Sequence, residues 1–161
     1  MIRTLLIACL LLLTACASQP PLPPQVPTLA LPMQLHIERD QAGQRQDWLL
    51  VIQEESGGLR WSLVDPLGMP QARQRLANGH WQADGFLPPN PEARELFAAL
   101  LFALTPGGEL GTLYPQASGD SAGRQLGERW QVRYQTANRF TLNLAHGLAY
   151  RVSPLNAEPA P

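Results

Sequence analysis

Apolar and polar residues alternate along most of the chain after residue 32. This period of two recurs in five segments, centred on Leu35, Trp61, Val132, Leu142 and Tyr150. One apolar side chain in every two is typical of a strand that buries one face. Short connections rich in Gly, Asn and Ser separate the segments, whereas a parallel crossover needs about a dozen residues or more. The pattern therefore predicts a meandering antiparallel sheet.

One segment breaks this period and predicts a helix. Asn90 can cap its first turn, Pro91 suits the first helical position, and the Pro-Gly-Gly run at 106–108 ends it. Residues 96–104 contain no polar side chain. Because such a helix requires burial on every side, we expect the sheet to curve around it. The predicted fold is mainly β (α+β): a curved antiparallel sheet that forms an incomplete barrel, with one long apolar helix in or over its concave face.

The apolar helix admits two interpretations. In the first, Phe97, Leu100, Leu101 and Leu104 fill a solid core, as large apolar residues usually do. In the second, part of the helix lines or covers a pocket for acyl chains. The sequence does not separate these two interpretations.

The pattern of the first residues is typical of a signal peptide. Arg3 precedes an apolar run at 5–13, and small residues follow it. A membrane-spanning helix needs about 20 apolar residues, so this run is too short to be one. The sequence Leu13-Thr14-Ala15-Cys16 resembles the lipobox of bacterial lipoproteins, in which the signal is cut before the cysteine. We therefore expect residues 1–15 to be removed and Cys16 to be the lipid attachment site.

The lipobox resemblance also implies a location. In lipoproteins the cysteine thiol receives a diacylglycerol and the freed amine is acylated. Ala17, instead of an aspartate, implies sorting to the outer membrane, facing the periplasm. Six prolines between residues 20 and 32 indicate an extended tether. The expected organisation is a cleaved signal at 1–15, a lipidated cysteine and tether at 16–32, a folded domain at 33–153 and a disordered tail at 154–161.

Composition excludes several partners. The 12 basic residues are all arginine, against 13 acidic residues, and no arginine cluster supplies the basic patch of a nucleic-acid binder. The two cysteines are Cys9, in the signal, and Cys16. No thiol then remains for a metal site or a disulfide. We expect no nucleic-acid partner, and no cofactor apart from the covalent acyl groups at Cys16.

The best match to a catalytic motif is Gly-Asp-Ser-Ala-Gly at 119–123. A nucleophile elbow needs a strand before its serine and a helix after it, and the flanking sequence predicts neither. His36, His80 and His146 lack the spacing of metal ligands. We therefore expect neither an enzyme nor a metal protein.

A wider resemblance covers residues 48–152. The segments LLVIQEESGGLRWSLVDPLGMPQARQRL (49–76) and LFAALLFAL (96–104) resemble a family of bacterial outer-membrane lipoproteins of unassigned function, related to the lipoprotein-localisation proteins LolA and LolB. In the Lol proteins, an incomplete barrel covered by helices holds acyl chains on its apolar concave face. The resemblance implies that the corresponding lipid-binding face here comprises Trp48, Leu50, Ile52, Trp61, Leu63, Phe97, Leu100, Leu101 and Leu104.

The function implied is that of a non-enzymatic acceptor or carrier, anchored in the outer membrane, for an acylated or amphiphilic molecule such as a lipid, a lipoprotein or a polyene-type lipid. The alternative is a solid-cored scaffold that recruits an exporter or envelope enzyme through its polar face. The expected partners are thus the membrane through the lipid anchor, an acyl-chain or lipoprotein cargo, and envelope export machinery.

Overall fold

The structure is a computed structural model that describes residues 19–155, so the signal peptide and Cys16 lie outside the described residues. A short 3-10 turn, Ala145–Gly147, precedes the last strand. The helices and strands are β1 Met33–Gln41, β2 Gln44–Glu55, β3 Gly58–Val64, β4 Pro70–Ala77, β5 His80–Ala83, α1 Pro91–Leu104, α2 Gly107–Leu113, β6 Ala117–Gly119, β7 Gly123–Leu126, β8 Trp130–Thr136, β9 Arg139–Asn143 and β10 Ala149–Pro154.

All ten strands form one antiparallel sheet in the order β5-β4-β3-β2-β1-β10-β9-β8-β7-β6. Two meanders, β1–β5 and β6–β10, meet where β1 pairs with β10 in the middle of the sheet. The chain crosses from the outer edge at β5 to the outer edge at β6 through α1 and α2. The predicted antiparallel meander is confirmed.

Alternation places the apolar side chains on one face of this sheet. Leu35, Leu50 and Leu63 lie opposite one another on β1, β2 and β3. Each is at most 2% exposed. Because side chains alternate between the two faces of a strand, the polar residues between them point to the other face. The turns agree with the sequence as well: Asn78 and Gly79 both have positive φ, as a two-residue hairpin turn with the strand twist requires.

Helix α1 begins as its sequence predicts. The Asn90 side-chain oxygen accepts a hydrogen bond from the Ala93 amide at 3.0 Å. Every residue from 96 to 103 is at most 2% exposed. The ring of Phe97 lies 5.4 Å from Trp61 on β3, and that of Phe102 lies 5.8 Å from Trp130 on β8.

The two contacts of α1 are consistent with a curved sheet. Strands β3 and β8 occupy the third and eighth positions, five spacings apart. In a flat sheet five spacings span about 24 Å. A helix with its side chains is only about 10–12 Å across. Contact of one helix with both strands fits a sheet that bends towards the helix from both sides. Among residues 19–155, neither helix is long and apolar enough to cross a membrane.

The segment before β1 lies against the domain. Pro23 and Pro27 are buried, and Leu22 and Leu29 pack on the apolar core. The Thr28 amide donates to a Glu109 carboxylate oxygen at 3.0 Å. Residues 19–32 of the expected tether therefore cover apolar surface of the domain, because their leucine and proline side chains are removed from water there.

The C-terminal boundary also differs from the expected one. Strand β10 extends to Pro154, and the Leu155 amide donates to the Gln34 carbonyl at 2.9 Å. The backbone of 154 and 155 therefore belongs to the folded domain, because it is hydrogen-bonded to β1. Residues 156–161 lie outside the described residues.

Candidate functional site

The structure brings the nine residues predicted to bind lipid together in one apolar interior. Trp48 and Leu104 are half-buried at its margin. The other seven are at most 1% exposed, and they are Leu50, Ile52, Trp61, Leu63, Phe97, Leu100 and Leu101. Helix α1 fills the space that a ligand would need in order to touch these seven side chains.

Aromatic rings pack along both halves of α1. Around its first half, Trp61, Trp81 and Phe97 lie with ring centres 5.4–5.8 Å apart. Around its second half, Phe102 lies 5.0 Å from Tyr114 and 5.8 Å from Trp130. Trp81 and Tyr114 were not among the predicted site residues, because Trp81 lies on a strand of four residues and Tyr114 follows a helix of seven. Ring packing of this kind stabilises the interior beyond simple burial.

Glu92, in the first turn of α1, binds the middle of the sheet, where β1 pairs with β10. Its carboxylate accepts two hydrogen bonds from Arg39 on β1, at 2.5 and 3.2 Å, and one from the Tyr150 hydroxyl on β10 at 3.0 Å. The hydrogen bond from Arg39 holds the pKa of Glu92 below its usual value, against the opposing effect of burial. Burial, together with the neighbouring Glu92 carboxylate, raises the pKa of Tyr150, so its hydroxyl remains a donor.

Glu95, one turn later, binds the start of β8, within the half of the sheet formed by β6–β10. It accepts hydrogen bonds from Arg129 at 2.7 and 2.6 Å and from the Trp130 indole nitrogen at 2.6 Å. Burial alone would raise the pKa of Glu95, but the hydrogen bonds from Arg129 and Trp130 outweigh it and lower the pKa. The N-terminal end of α1 is therefore ion-paired to both halves of the sheet.

The C-terminal end of α1 is held by donors to its backbone carbonyls. Arg124 on β7 donates to the carbonyls of Thr105 at 2.8 Å and Phe102 at 3.3 Å. The Tyr134 hydroxyl on β8 donates to the Ala103 carbonyl at 2.6 Å. Burial raises the pKa of Tyr134 to about 12, which keeps this hydroxyl protonated near neutral pH. A guanidinium at this position also interacts favourably with the negative end of the helix dipole.

A cavity of about 520 Å³ borders this C-terminal end. Leu29, Met33 and Leu104 supply apolar wall, and Arg124 and Tyr134 supply polar groups. Leu104 is the residue of the predicted lipid-binding set that lines this cavity.

The other residues that line this cavity were not among the predicted site residues. One signal could have indicated the cavity: Arg124 stands opposite Val132 on the largely apolar face of the sheet. A charged residue at an apolar strand position needs a specific reason, and here it caps the end of a helix and lines a cavity.

The serine motif forms a hairpin turn. Ser121 is exposed between β6 and β7. The Asp120 carboxylate accepts hydrogen bonds from the amides of Ala122 at 2.8 Å and Gly123 at 3.1 Å, which shapes the turn. Two strands thus flank the motif, in place of the strand-to-helix turn of a nucleophile elbow.

Possible metal ligands are scattered. His36 lies 2.7 Å from Asp47 at exposed positions on the polar face. Within residues 19–155, no group of three or more His, Cys, Asp or Glu side chains is arranged to hold a metal ion.

Comparison with known proteins adds no relative. No protein-family model matches the chain, and no curated protein matches it. The resemblance to LolA and LolB stays a prediction, and the assignment of the site rests on its geometry.

Proposed function

We propose that this protein is a lipid-anchored, non-enzymatic acceptor or carrier of an acylated or amphiphilic molecule. In this proposal Cys16 holds the anchor in the outer membrane and the domain faces the periplasm. The sheet acts as an incomplete barrel of the LolB kind, and α1 is a movable helix that occupies its interior. The observation that carries the proposal is the cavity of about 520 Å³ at the C-terminal end of α1.

The lining of the cavity matches an amphiphile. Its volume falls within the range of roughly 300–1,000 Å³ that is common for small-molecule sites. Leu29, Met33 and Leu104 offer apolar contact to an acyl chain, while the Arg124 guanidinium offers donors to a polar group. Such sites combine a mainly apolar wall with a few placed polar groups.

Helix α1 runs from the cavity into the apolar interior. Leu104 lines the cavity, whereas Leu100 and Leu101, one turn earlier, are fully buried. A long acyl chain would reach these two leucines by displacing the C-terminal half of the helix. That displacement breaks hydrogen bonds from Arg124 and Tyr134 to backbone carbonyls, and it leaves the ion pairs of the N-terminal half intact.

Fluorescent fatty-acid binding tests the proposal. The chain from residue 17, secreted without the lipobox, is titrated with a dansyl-labelled fatty acid and examined by native mass spectrometry for lipid retained from the cell. We expect saturable binding that unlabelled palmitate displaces. If the protein carries no lipid and binds no fatty acid, the proposed carrier function is wrong.

Three leucine-to-arginine variants locate the site. Leu104→Arg places charge in the cavity and is expected to weaken binding at least about tenfold, equivalent to about 1.4 kcal/mol, without loss of folding. Leu100→Arg buries an unpaired charge and is expected to unfold the domain. Leu67→Arg is the matched control, because Leu67 is 88% exposed and lies outside the cavity. Loss of binding in Leu67→Arg would place the site elsewhere.

A second function is favoured by a different observation. Seven of the nine residues predicted to bind lipid are at most 1% exposed, as in a solid core. A domain of this kind would serve as a scaffold that recruits an exporter or envelope enzyme through its polar face. The titration separates the two functions, because a scaffold is expected to remain folded and to bind no fatty acid.

A further inference from the structure

Three large apolar side chains protrude from two neighbouring loops. Phe86 is fully exposed, Leu67 is 88% exposed and Met69 is 60% exposed. Leu67 and Met69 belong to the β3–β4 turn, and Phe86 belongs to the loop that leads from β5 to α1. A single exposed apolar residue needs no explanation, whereas several together mark an interaction surface.

Both loops are held in place by hydrogen bonds. The Asp65 carboxylate accepts bonds from the amides of Leu67 and Met69, each at 2.9 Å. Asn90, at the end of the second loop, donates to the carbonyl of Gln71 at 3.4 Å, only two residues after Met69. Strand β5 runs antiparallel to β4 and so returns to the end of the sheet where the β3–β4 turn lies. The two loops therefore share one end of the sheet.

The carboxylates beside these loops are already engaged. The oxygen of Asp65 caps its own turn, and Asp84 is ion-paired with Arg60 at 2.6 Å. Prolines occupy much of the remaining loop sequence, at positions 66, 70, 88 and 89. The tips of these two loops thus expose apolar side chains and few unpaired carboxylates.

The described chain begins at this same end. Pro21, Leu22 and Pro24 line a cavity of about 370 Å³ together with Tyr114 and Gly127. Gly127 lies in the β7–β8 turn. Because neighbouring strands from β3 through β8 are all antiparallel, β8 starts at the end of the sheet where β3 finishes. Two residues lie between Cys16 and Gln19 in the sequence, so their Cα atoms are at most about 11 Å apart.

We propose that this end of the sheet faces the membrane, with Leu67, Met69 and Phe86 inserted into the lipid surface that holds Cys16. The proposal rests on the lipid anchor of the proposed function and is independent of any cargo. The short connection to Cys16 keeps the loops close to the bilayer, so that weak apolar contacts suffice to orient the domain. The cavity at the other end of α1 then opens away from the lipid.

Single-cysteine labelling of the lipid-anchored protein tests this orientation. The sequence has cysteine only at positions 9 and 16, so Met69→Cys or Phe86→Cys adds one free thiol to the mature chain. Each variant is labelled with the fluorophore NBD and reconstituted into vesicles of phosphatidylethanolamine and phosphatidylglycerol. We expect emission at shorter wavelength and quenching by lipids that carry nitroxide on their acyl chains.

Asn78→Cys and Ser56→Cys are the matched controls. Both residues are exposed in turns at the opposite end of the sheet and lie outside the cavity lining, and they should show neither the wavelength shift nor the quenching. Equal emission at all four positions, or quenching at 78 and 56 alone, would overturn the proposed orientation. Labels at 69 and 86 that stay water-exposed on vesicles but are shielded in cell envelopes would indicate a protein partner instead, and would overturn it as well.

Mass spectrometry of Cys16 distinguishes failure of the anchor from failure of the membrane contact. A chain without acyl groups would contradict the anchor. Labels at 69 and 86 in that chain should still respond when vesicles are added at high concentration, and a lack of response there would contradict the contact itself. Introducing Leu67→Asp into the Phe86→Cys variant should reduce the quenching while leaving the unfolding midpoint unchanged, because Leu67 is exposed.

Discussion

The two ends of α1 are held in different ways. At the N-terminal end, Glu92 and Glu95 form ion pairs with arginines from opposite halves of the sheet. At the C-terminal end, Arg124 and Tyr134 donate only to backbone carbonyls, and a cavity adjoins the helix. The N-terminal end of α1 is thus strongly fixed, whereas the cavity leaves space for the C-terminal end to move.

The difference follows from the helix dipole and from burial. Carboxylates are favourable at the positive N-terminal end of a helix, and a guanidinium is favourable at the negative C-terminal end. Each carboxylate also gains several charge-assisted hydrogen bonds, which are roughly twice as strong as neutral ones. Movement of α1 is therefore expected to begin at the end beside the cavity.

The largest expected effect concerns packing along the helix. Phe97→Ala removes a fully buried ring from contact with Trp61 and Trp81 and should lower the free energy of unfolding by about 3–5 kcal/mol. Leu104→Ala, at the half-buried cavity end, should cost only about 1 kcal/mol. Urea unfolding followed by tryptophan fluorescence measures both. An equal cost for the two variants would mean that both ends of α1 are equally well packed.

The next effect concerns the two carboxylates. Glu95→Gln removes the charge that binds Arg129 and Trp130, and should cost about 1–3 kcal/mol of unfolding free energy. Glu92→Gln should cost less, about 0–1 kcal/mol, because the side chain of Glu92 is 41% exposed against 23% for Glu95. A larger loss for Glu92→Gln in the same urea titration would contradict this order.

The same carboxylates predict loss of stability in acid. Folding lowers the pKa of Glu92 and of Glu95, so their contribution is complete above the unfolded pKa of about 4.3 and is lost as the pH falls through the lowered folded values. The urea midpoint should decrease below about pH 4. Glu95→Gln should flatten this decrease, since one of the two groups no longer titrates. A pH profile of unchanged steepness in the variant would contradict the assignment.

The smallest effect tests the movable end. Tyr134→Phe removes one hydrogen bond to the Ala103 carbonyl and should lower the unfolding free energy by about 1 kcal/mol. If the ligand displaces this end of α1, the variant should bind the dansyl fatty acid more tightly, by up to about fivefold. Glu95→Gln is the control, because it weakens the opposite end and should not increase affinity. Equal gains in both variants would mean that the whole helix moves as one body.

Local chemistry made part of this fold predictable. The period of two identified the strands around Leu35, Trp61 and Val132, because alternation alone decides which side chains share a face. Asn90 was predicted as the helix cap from its own sequence context, and the structure confirms it. These features depend on residues only a few positions apart, so a single stretch of sequence contains the information.

The candidate site was less predictable. Its polar contacts join residues far apart in the chain: Arg39 and Glu92 are 53 positions apart, and Arg124 and Thr105 are 19 apart. No local pattern shows which arginine meets which carboxylate. The packing of residues 19–32 on the domain was not predictable either. Proline-rich sequence is compatible both with a solvated spacer and with a segment that covers apolar surface of a domain, and the sequence favoured the spacer.

The sequence by itself determined five of the ten described strands, the turns beside them and the ends of α1, because these follow from side-chain period and capping chemistry. The tertiary structure alone decided that Glu92 and Glu95 form ion pairs with arginines from opposite halves of the sheet, that a cavity lies beside Leu104, and that the start of the described chain shares one end with Phe86. Each of these features depends on how strands distant in sequence are brought together when the sheet packs around the helix. Pairing between distant segments produces no local sequence pattern from which it could be predicted.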